Sequence, residues 1–196
     1  MLSLALAALG GYLLGSIPFG LLLTRAAGLG DIRNVGSGNI GATNVLRTGR
    51  RDIAFATLVL DAGKAAAALL IAREIAGPEA GFVAGGAAFL GHCFPVWLGF
   101  KGGKGVATFF GVLFAGLWPV ALVAAAAWLA TAAIARISSL GALVAAASAP
   151  IAAAAFNLGP WAIGFCALLA VLIFWRHQPN IQRLLRGEEP RIGAKS

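Results

Sequence analysis

The residues able to do chemistry stand in four polar segments of an otherwise apolar chain. The first reads Gly36-Ser37-Gly38-Asn39-Ile40-Gly41-Ala42-Thr43-Asn44, with Arg47 close behind. Its glycines formally satisfy G-x-G-x-x-G. No strand precedes them, and Asp61, at the spacing of a ribose-binding acid, falls inside an apolar run, so a dinucleotide site is rejected. What remains is a loop of turn glycines, hydroxyls, carboxamides and one guanidinium. Such a loop can aim N–H groups and side-chain donors at an anion, or it can be a plain polar turn. The second segment joins Gly91-His92-Cys93-Phe94-Pro95 to Phe100-Lys101-Gly102-Gly103-Lys104-Gly105-Val106-Ala107-Thr108. It approaches a P-loop but fails: Gly99 and Gly103 are one residue too close, and Gly105 replaces the hydroxyl residue that would hold Mg²⁺. Two ammonium groups among three glycines, ahead of a helix, still favour phosphate binding. The alternative is a pair of lysines that only mark topology.

The third segment, Arg136-Ile137-Ser138-Ser139, is a short turn. The fourth runs from Trp175 through Arg176, His177, Gln178, Pro179 and Asn180 to Glu188. Ile181, Leu184 and Leu185 share one helical face there, which predicts a short interfacial helix starting near Pro179. His177 at its start is an acid/base candidate, an anion ligand, or a merely solvated ring. Asp61 and Lys64, three residues apart, can pair on one helix face as a structural or a functional charge pair. His92 either points toward the same polar face or packs beside it. Cys93 and Cys166 lie in apolar runs and form neither a disulfide framework nor a metal knuckle.

These segments need scaffolding, and the composition says of what kind. Of 196 residues 60% are hydrophobic and 11% charged, against roughly 25% charged in a soluble domain. Mean hydropathy is +0.88. That much apolar surface calls for lipid as solvent and excludes a soluble enzyme, a disulfide-rich secreted domain or a disordered chain. A crossing of the ~30 Å hydrocarbon core takes about 20 helical residues. Residues 2–24, 53–72 and 80–100 each supply one. Residues 105–135 are too long for one crossing and break near Gly116, Trp118 and Pro119; residues 137–175 divide at Asn157, Gly159 and Pro160. The expectation is an all-α integral membrane protein of about seven transmembrane helices in a single domain, 1–196. The helix after Gly105 is short or re-entrant. Alanine-rich stretches at residues 124–127 and 152–155 read as small-residue surfaces for close helix packing.

The net charge is +8, yet the basic residues occupy the gaps between apolar runs, which speaks for topology rather than nucleic acid. With the N-terminus outside, segments 25–52, 101–104, 136–139 and 176–196 become cytoplasmic. They hold 13 of the 15 Lys and Arg residues. The positive-inside rule therefore predicts N-out, C-in.

Taken in order, the segments resemble one family, the bacterial membrane glycerol-3-phosphate acyltransferases that use acyl phosphate (the PlsY family). The match is carried by Gly36-Ser37-Gly38-Asn39, Gly41-Ala42-Thr43-Asn44 and Arg47. It continues through Leu60-Asp61, Lys64, Gly91-His92, Pro95 and residues 100–108. Arg136, Ser138, His177, Asn180-Ile181, Arg183-Leu184, Gly187 and Glu188 complete it. The resemblance implies acyl transfer from acyl phosphate to the 1-hydroxyl of sn-glycerol 3-phosphate. The products would be 1-acyl-glycerol 3-phosphate (lysophosphatidic acid) and phosphate, in the first acylation of bacterial phospholipid synthesis. It also implies a multi-pass protein of the cytoplasmic (inner) membrane, a site at the cytoplasmic face, and contact with membrane lipid. No metal, cofactor or nucleic acid is expected, and no oligomeric state is assigned.

On that reading two phosphates must share a site, and their repulsion demands cations. Arg47, Lys101 and Lys104 supply them. Ser37, Thr43, Asn44, Ser138, Ser139, His177 and Asn180 add directional hydrogen bonds. Gly38, Asn39, Gly41, Ala42, Gly102, Gly103 and Gly105 shape backbone that approaches the anions. Lys104, His177, Arg47 and Ser37 are the catalytic candidates. There is no nucleophile elbow or Ser-His-Asp set, and Trp97 and Gln182 stand where an H-x-x-x-x-D motif would place aspartate. Direct attack by the glycerol hydroxyl, without an acyl-enzyme, follows from the activated donor. Proton removal falls to a substrate phosphate or to His177, with binding the preferred role for His177. The competing reading is a small membrane transporter of an anionic, phosphate-bearing metabolite, supported by the basic loops and the Asp61/Lys64 pair.

Overall fold

The computed structural model describes residues 1–193, and among these the chain is helical with no strand. Two compact units are formed, Met1–Gly116 and a second beginning at Leu117. In the first unit, α1 (Leu2–Gly15) and α2 (Phe19–Ala26) make one apolar span, Leu2–Ala26. A break at residues 16–18 divides it. Pro18 has no N–H to continue the ladder, and the one crossing expected over residues 2–24 is found as the span Leu2–Ala26 with this break inside it. A folded connector then carries the short α3 (Ala42–Val45) into α4 (Arg51–Ala76). After α4 come α5 (Pro78–Cys93) and the 11-residue α6 (Val106–Gly116).

Small residues let these helices touch backbone to backbone. A Cβ added at Gly11 would lie 2.2 Å from the Ala84 carbonyl oxygen, and one at Gly15 would lie 2.1 Å from that of Ala88. Gly91 answers from α5, where a Cβ would sit 2.2 Å from the Tyr12 carbonyl oxygen. Gly111 on α6 meets Ala62 of α4 in the same way, at 2.0 Å. This is the close packing that membrane helices use when lipid offers no hydrophobic drive between them.

The second unit holds α7 (Trp118–Ala135), α8 (Ser138–Ala155), α9 (Gly159–Arg176) and the short α10 (Gln178–Leu185). Proline stands in the first turn of α7, α9 and α10, where its missing N–H costs nothing. The breaks expected at Gly116–Pro119 and Asn157–Pro160 are therefore found. Ala124 on α7 and Ala145, Ala146, Ala149, Ala152 and Ala153 on α8 are buried.

Among the described residues six stretches are long and apolar enough to cross a membrane: Leu2–Ala26, Arg51–Ala76, Pro78–Leu98, Trp118–Ala135, Ser138–Ala155 and Gly159–Arg176. Helix α6 measures only about 16 Å at 1.5 Å per residue. Its start, however, is set deep. The loop before it turns back along the last turn of α5, and Gly105 abuts the Phe89 ring.

Candidate active site

The first polar segment is folded, not loose. Leu21, Ile32, Ile40, Val45 and Ala54 form a small buried cluster, with Val35, Ile53 and Leu98 packed against it. Apolar burial thus pins the connector to α2 and α4. Asn44 is 2% exposed and organises the loop from within. Its Nδ2 donates to the carbonyls of Ile32, Val35 and Asn39 at 3.1, 2.9 and 2.8 Å. Its Oδ1 accepts from the Ser37 N–H at 3.0 Å and lies 3.2 Å from the Ser37 hydroxyl. Both ends of the Asn44 amide thus shape the loop that presents Ser37. Gly36 has φ +53°, and a Cβ there would collide with the Arg47 side chain and Asn44 Oδ1 at 2.7 Å. Glycine at this position therefore lets Arg47 lie across the loop.

Charges in this segment separate into two kinds. Asp31 accepts from Arg25 at 2.8 Å and Arg33 at 2.6 Å, and Arg50 pairs with Asp52 at 2.6 Å. Hydrogen bonds from the Arg33 side chain and backbone, then from Arg25, hold the Asp31 carboxyl well below the usual carboxylate range. Among the described residues no carboxylate pairs with Arg47 or Lys101. Ser37, Thr43, Arg47 and Lys101 are exposed; Gly38, Asn39, Gly41, Ala42 and Lys104 are half-buried.

The glycine–lysine loop is built against α5. Gly102 N–H donates to the Cys93 carbonyl at 3.1 Å and Gly103 N–H to the His92 carbonyl at 3.0 Å. These N–H groups cap α5. The glycines are needed for space: a Cβ at Gly102 would meet the His92 carbonyl oxygen and the Pro95 ring, and one at Gly103 would lie 2.1 Å from His92 Nε2. Gly105 takes φ +85° and faces the Phe89 ring. The loop brings two lysines, Lys101 exposed and Lys104 half-buried, to the start of α6, whose N-terminal dipole also favours an anion. Leu98 belongs to the cluster that folds the first segment, and its carbonyl accepts from Lys101 N–H at 3.2 Å, so the two loops are joined. Gly103→Ala should therefore unseat this loop. Activity is expected to fall at least as far as in a lysine-to-alanine variant while the helices stay folded, as read by circular dichroism beside turnover.

Beneath this loop lies a buried charge pair. Asp61 and Lys64 are 1% and 4% exposed, and Lys64 Nζ donates to Asp61 Oδ1 at 2.7 Å. Lys64 also donates to the Ile17 carbonyl at 2.7 Å, so it reaches the backbone at the Pro18 break.

In the second unit, Ser138 and Ser139 open α8, and His177 and Asn180, 3% and 5% exposed, flank the start of α10. The chain after α10 turns back so that Ile192 N–H donates to the Arg136 carbonyl at 2.6 Å. This return delivers Glu189, which the sequence reading did not single out. Its carboxylate accepts from Ser139 at 2.7 Å, Asn180 at 2.5 Å and Arg183 at 2.7 Å. Burial alone would push the Glu189 carboxyl up; the donors Asn180, Ser139 and Arg183 outweigh it and hold it below its ordinary value. A depressed folded value means that its stabilisation is present above the ordinary carboxylate range and is lost as pH falls through that lowered value. Glu189→Gln should abolish that acid-side dependence and cost about 1.5–3 kcal/mol of stability at neutral pH, read from thermal unfolding in detergent. An unchanged melting profile would reduce Glu189 to a solvated tail residue. His177 Nδ1 lies 2.8 Å from the Ile173 carbonyl, which can only accept, so this nitrogen carries a proton.

A family model described as glycerol-3-phosphate acyltransferase matches residues 5–187. The chain belongs to the glycerol-3-phosphate acyltransferase family. A protein of that name from Maricaulis maris is 66% identical over 189 residues, covering 96% of this chain and 87% of the relative. One from Jannaschia sp. is 63% identical over 196 residues, covering 100% and 96%. Among solved structures, PlsY (YgiH), an integral membrane glycerol 3-phosphate acyltransferase crystallised in a glycerol 3-phosphate form, superposes with a TM-score of 0.91 at 39% identity. That likeness covers 97% of this chain and 96% of the other. The lysophosphatidic acid form of the same protein gives 0.89 and 37% over equal coverage. This chain is a multi-pass membrane protein, and family membership decides against the transporter reading.

Proposed function

We propose that this glycerol-3-phosphate acyltransferase takes its acyl group from acyl phosphate and transfers it to the 1-hydroxyl of sn-glycerol 3-phosphate, releasing lysophosphatidic acid and inorganic phosphate. The observation that carries this reading is the 101–105 loop, which sets two lysines at the start of a helix beside the fold that presents Arg47. Phosphate is the anion that such a cluster serves best. Lys104, Lys101 and Arg47 offset the charge of two phosphates, and Ser37 donates a hydrogen bond to one of them. Thr43, Ser138, Ser139, His177 and Asn180 belong to the same substrate-binding proposal. Gly38, Asn39, Gly41, Ala42, Gly102, Gly103 and Gly105 act through backbone shape, and Asn44 through its hold on Ser37. The catalytic domain is read as single, since the family match runs across both units.

The glycerol hydroxyl attacks the acyl carbonyl carbon. The carbonyl–phosphate C–O bond breaks, phosphate leaves with its electron pair, and the hydroxyl proton passes to a phosphate oxygen. The protein's share is cationic stabilisation of the oxyanion and of the leaving phosphate. Purified protein in detergent should form lysophosphatidic acid and phosphate in equal amounts from these two substrates. Label from acyl phosphate should not stay on the protein when the acceptor is withheld. Turnover with an acyl thioester but not with acyl phosphate would overturn the donor assignment; a stable acylated protein would overturn direct attack.

The charge bias supports a site at the cytoplasmic face of the bacterial inner membrane, with the N-terminus outside. Single cysteines at positions 33, 101 and 187 should react with an impermeant maleimide only after the cytoplasmic side is opened. Labelling of any of them in intact cells would reverse the orientation.

A further inference from the structure

Asp61, Lys64 and His92 form a buried polar group that the reaction as described does not use. Asp61 and Lys64 stand one turn apart on α4; His92 comes from the last turn of α5. Lys64 Nζ has three neighbours: Asp61 Oδ1 at 2.7 Å, the Ile17 carbonyl at 2.7 Å, and His92 Nδ1 at 3.1 Å. An ammonium has three protons, and the carboxylate and the carbonyl can only accept. With Lys64 as the charged partner, the third proton is directed at His92 Nδ1. Asp61 Oδ1 is farther from that nitrogen, at 3.5 Å. An imidazole accepting at Nδ1 keeps its proton on Nε2. That Nε2 edge faces Gly103, close enough that no Cβ fits between them, while the His92 carbonyl holds Gly103 N–H at 3.0 Å. The ring and the backbone of His92 thus grip the residue flanked by Lys101-Gly102 and Lys104.

We propose that Lys64, held by Asp61, locks His92 as its Nε2–H tautomer, and that the locked ring is the seat that positions the 101–104 loop for acyl transfer. This rests on the reading that Lys101 and Lys104 hold substrate phosphate. A buried ion pair is a poor source of stability compared with well-packed apolar side chains. What this pair adds is direction: a fixed hydrogen-bond pattern at His92, passed on to the loop. Asp61, Lys64 and His92 are positioning residues, and none need touch substrate.

The test combines a spectroscopic and a kinetic readout. The chain has two histidines, so ¹⁵N-histidine NMR of the protein in detergent, assigned with His92→Gln, reports each ring. His92 should show a bare Nδ1 and a protonated Nε2. Asp61→Leu combined with Lys64→Met removes both charges at similar volume and should leave the bundle folded. It should scramble the His92 tautomer and lower kcat/KM roughly ten- to hundredfold, as expected for a displaced loop. His92→Gln, which can keep an N–H near the Nε2 position, should retain more activity than His92→Leu. A protonated Nδ1 in the native protein, or wild-type kcat/KM in a folded double variant, overturns the proposal. Lys101→Ala and Lys104→Ala in the same assay separate the two levels. Loss in both lysine variants with none in the double variant sinks the positioning role alone. Unchanged activity in both lysine variants sinks the phosphate reading and this inference with it.

Discussion

Lys104→Ala should lower kcat/KM by roughly 30-fold to several thousandfold, the 2–5 kcal/mol typical of truncating one partner of a desolvated charge pair. The position explains the size. Lys104 is half-buried and directly precedes Gly105, whose φ of +85° turns the chain into α6. Thr108 closes that first turn through a 2.8 Å hydrogen bond to the Gly105 carbonyl. An anion at this point meets the ammonium and the helix terminus together, in a setting where water screens poorly. Lys101 is exposed, so Lys101→Ala should cost less. Lys104→Arg should not restore full activity, because a planar fork does not replace a point charge in a space shaped by glycines. The measurement is kcat/KM in detergent on variants whose melting profiles match the parent. Near-parental turnover in Lys104→Ala would leave this lysine as a mark of topology only.

How much of this was legible in the sequence follows from the range of each interaction. Helix breaks at Gly116–Pro119 and Asn157–Pro160 were visible because proline and glycine act on their own backbone. The single span over residues 2–24 was legible, but its inner break was not: an uncharged apolar run carries no sign that Lys64, forty-seven residues on, will donate to the Ile17 carbonyl there. The Asp61/Lys64 pair was readable from its spacing on one helix. Its third member was not, since His92 arrives from another helix. Glu189 escaped for the same reason, with Ser139 fifty residues away. An acid in a basic tail reads as solvated until the chain is seen to turn back. The carboxamide of Asn44 is legible as a hydrogen-bonding group, but not that both its ends bond within its own loop. Gly102 and Gly103 are legible as residues that shape the loop; that their N–H groups go to α5 and their missing side chains make room for His92 and Pro95 is a contact between distant backbone stretches. Ile32, Ile40 and Val45 were the readable hint that the first polar segment is folded.

His177→Gln should leave a slow but active enzyme with a raised KM for glycerol 3-phosphate, and its pH profile should lose one limb. The ring's Nδ1 donates to the Ile173 carbonyl at 2.8 Å, so an uncharged His177 carries its lone pair on Nε2. Such a ring can accept a proton; it can donate to phosphate from Nε2 only as the imidazolium. The two roles therefore have opposite signs. If His177 binds phosphate, the charged ring is the working form, and activity falls as pH rises and the ring loses its proton. If it is the base, the uncharged ring works, and activity rises over the same range. A second limb belongs to the substrate: a phosphate oxygen that takes the hydroxyl proton must be ionised, which gives a rise through about pH 6. We expect the binding role, because an activated acyl donor asks little of a base. His177→Gln should then keep the acid-side rise, lose the alkaline fall, and change substrate saturation more than the single-turnover rate. A catalytic base predicts a different outcome: the chemical step drops by about 10²–10⁴-fold, and the acid-side limb goes with it. Single-turnover rates across pH, for parent and variant at saturating glycerol 3-phosphate, separate the two. A collapsed chemical rate with unchanged substrate affinity would make His177 the base.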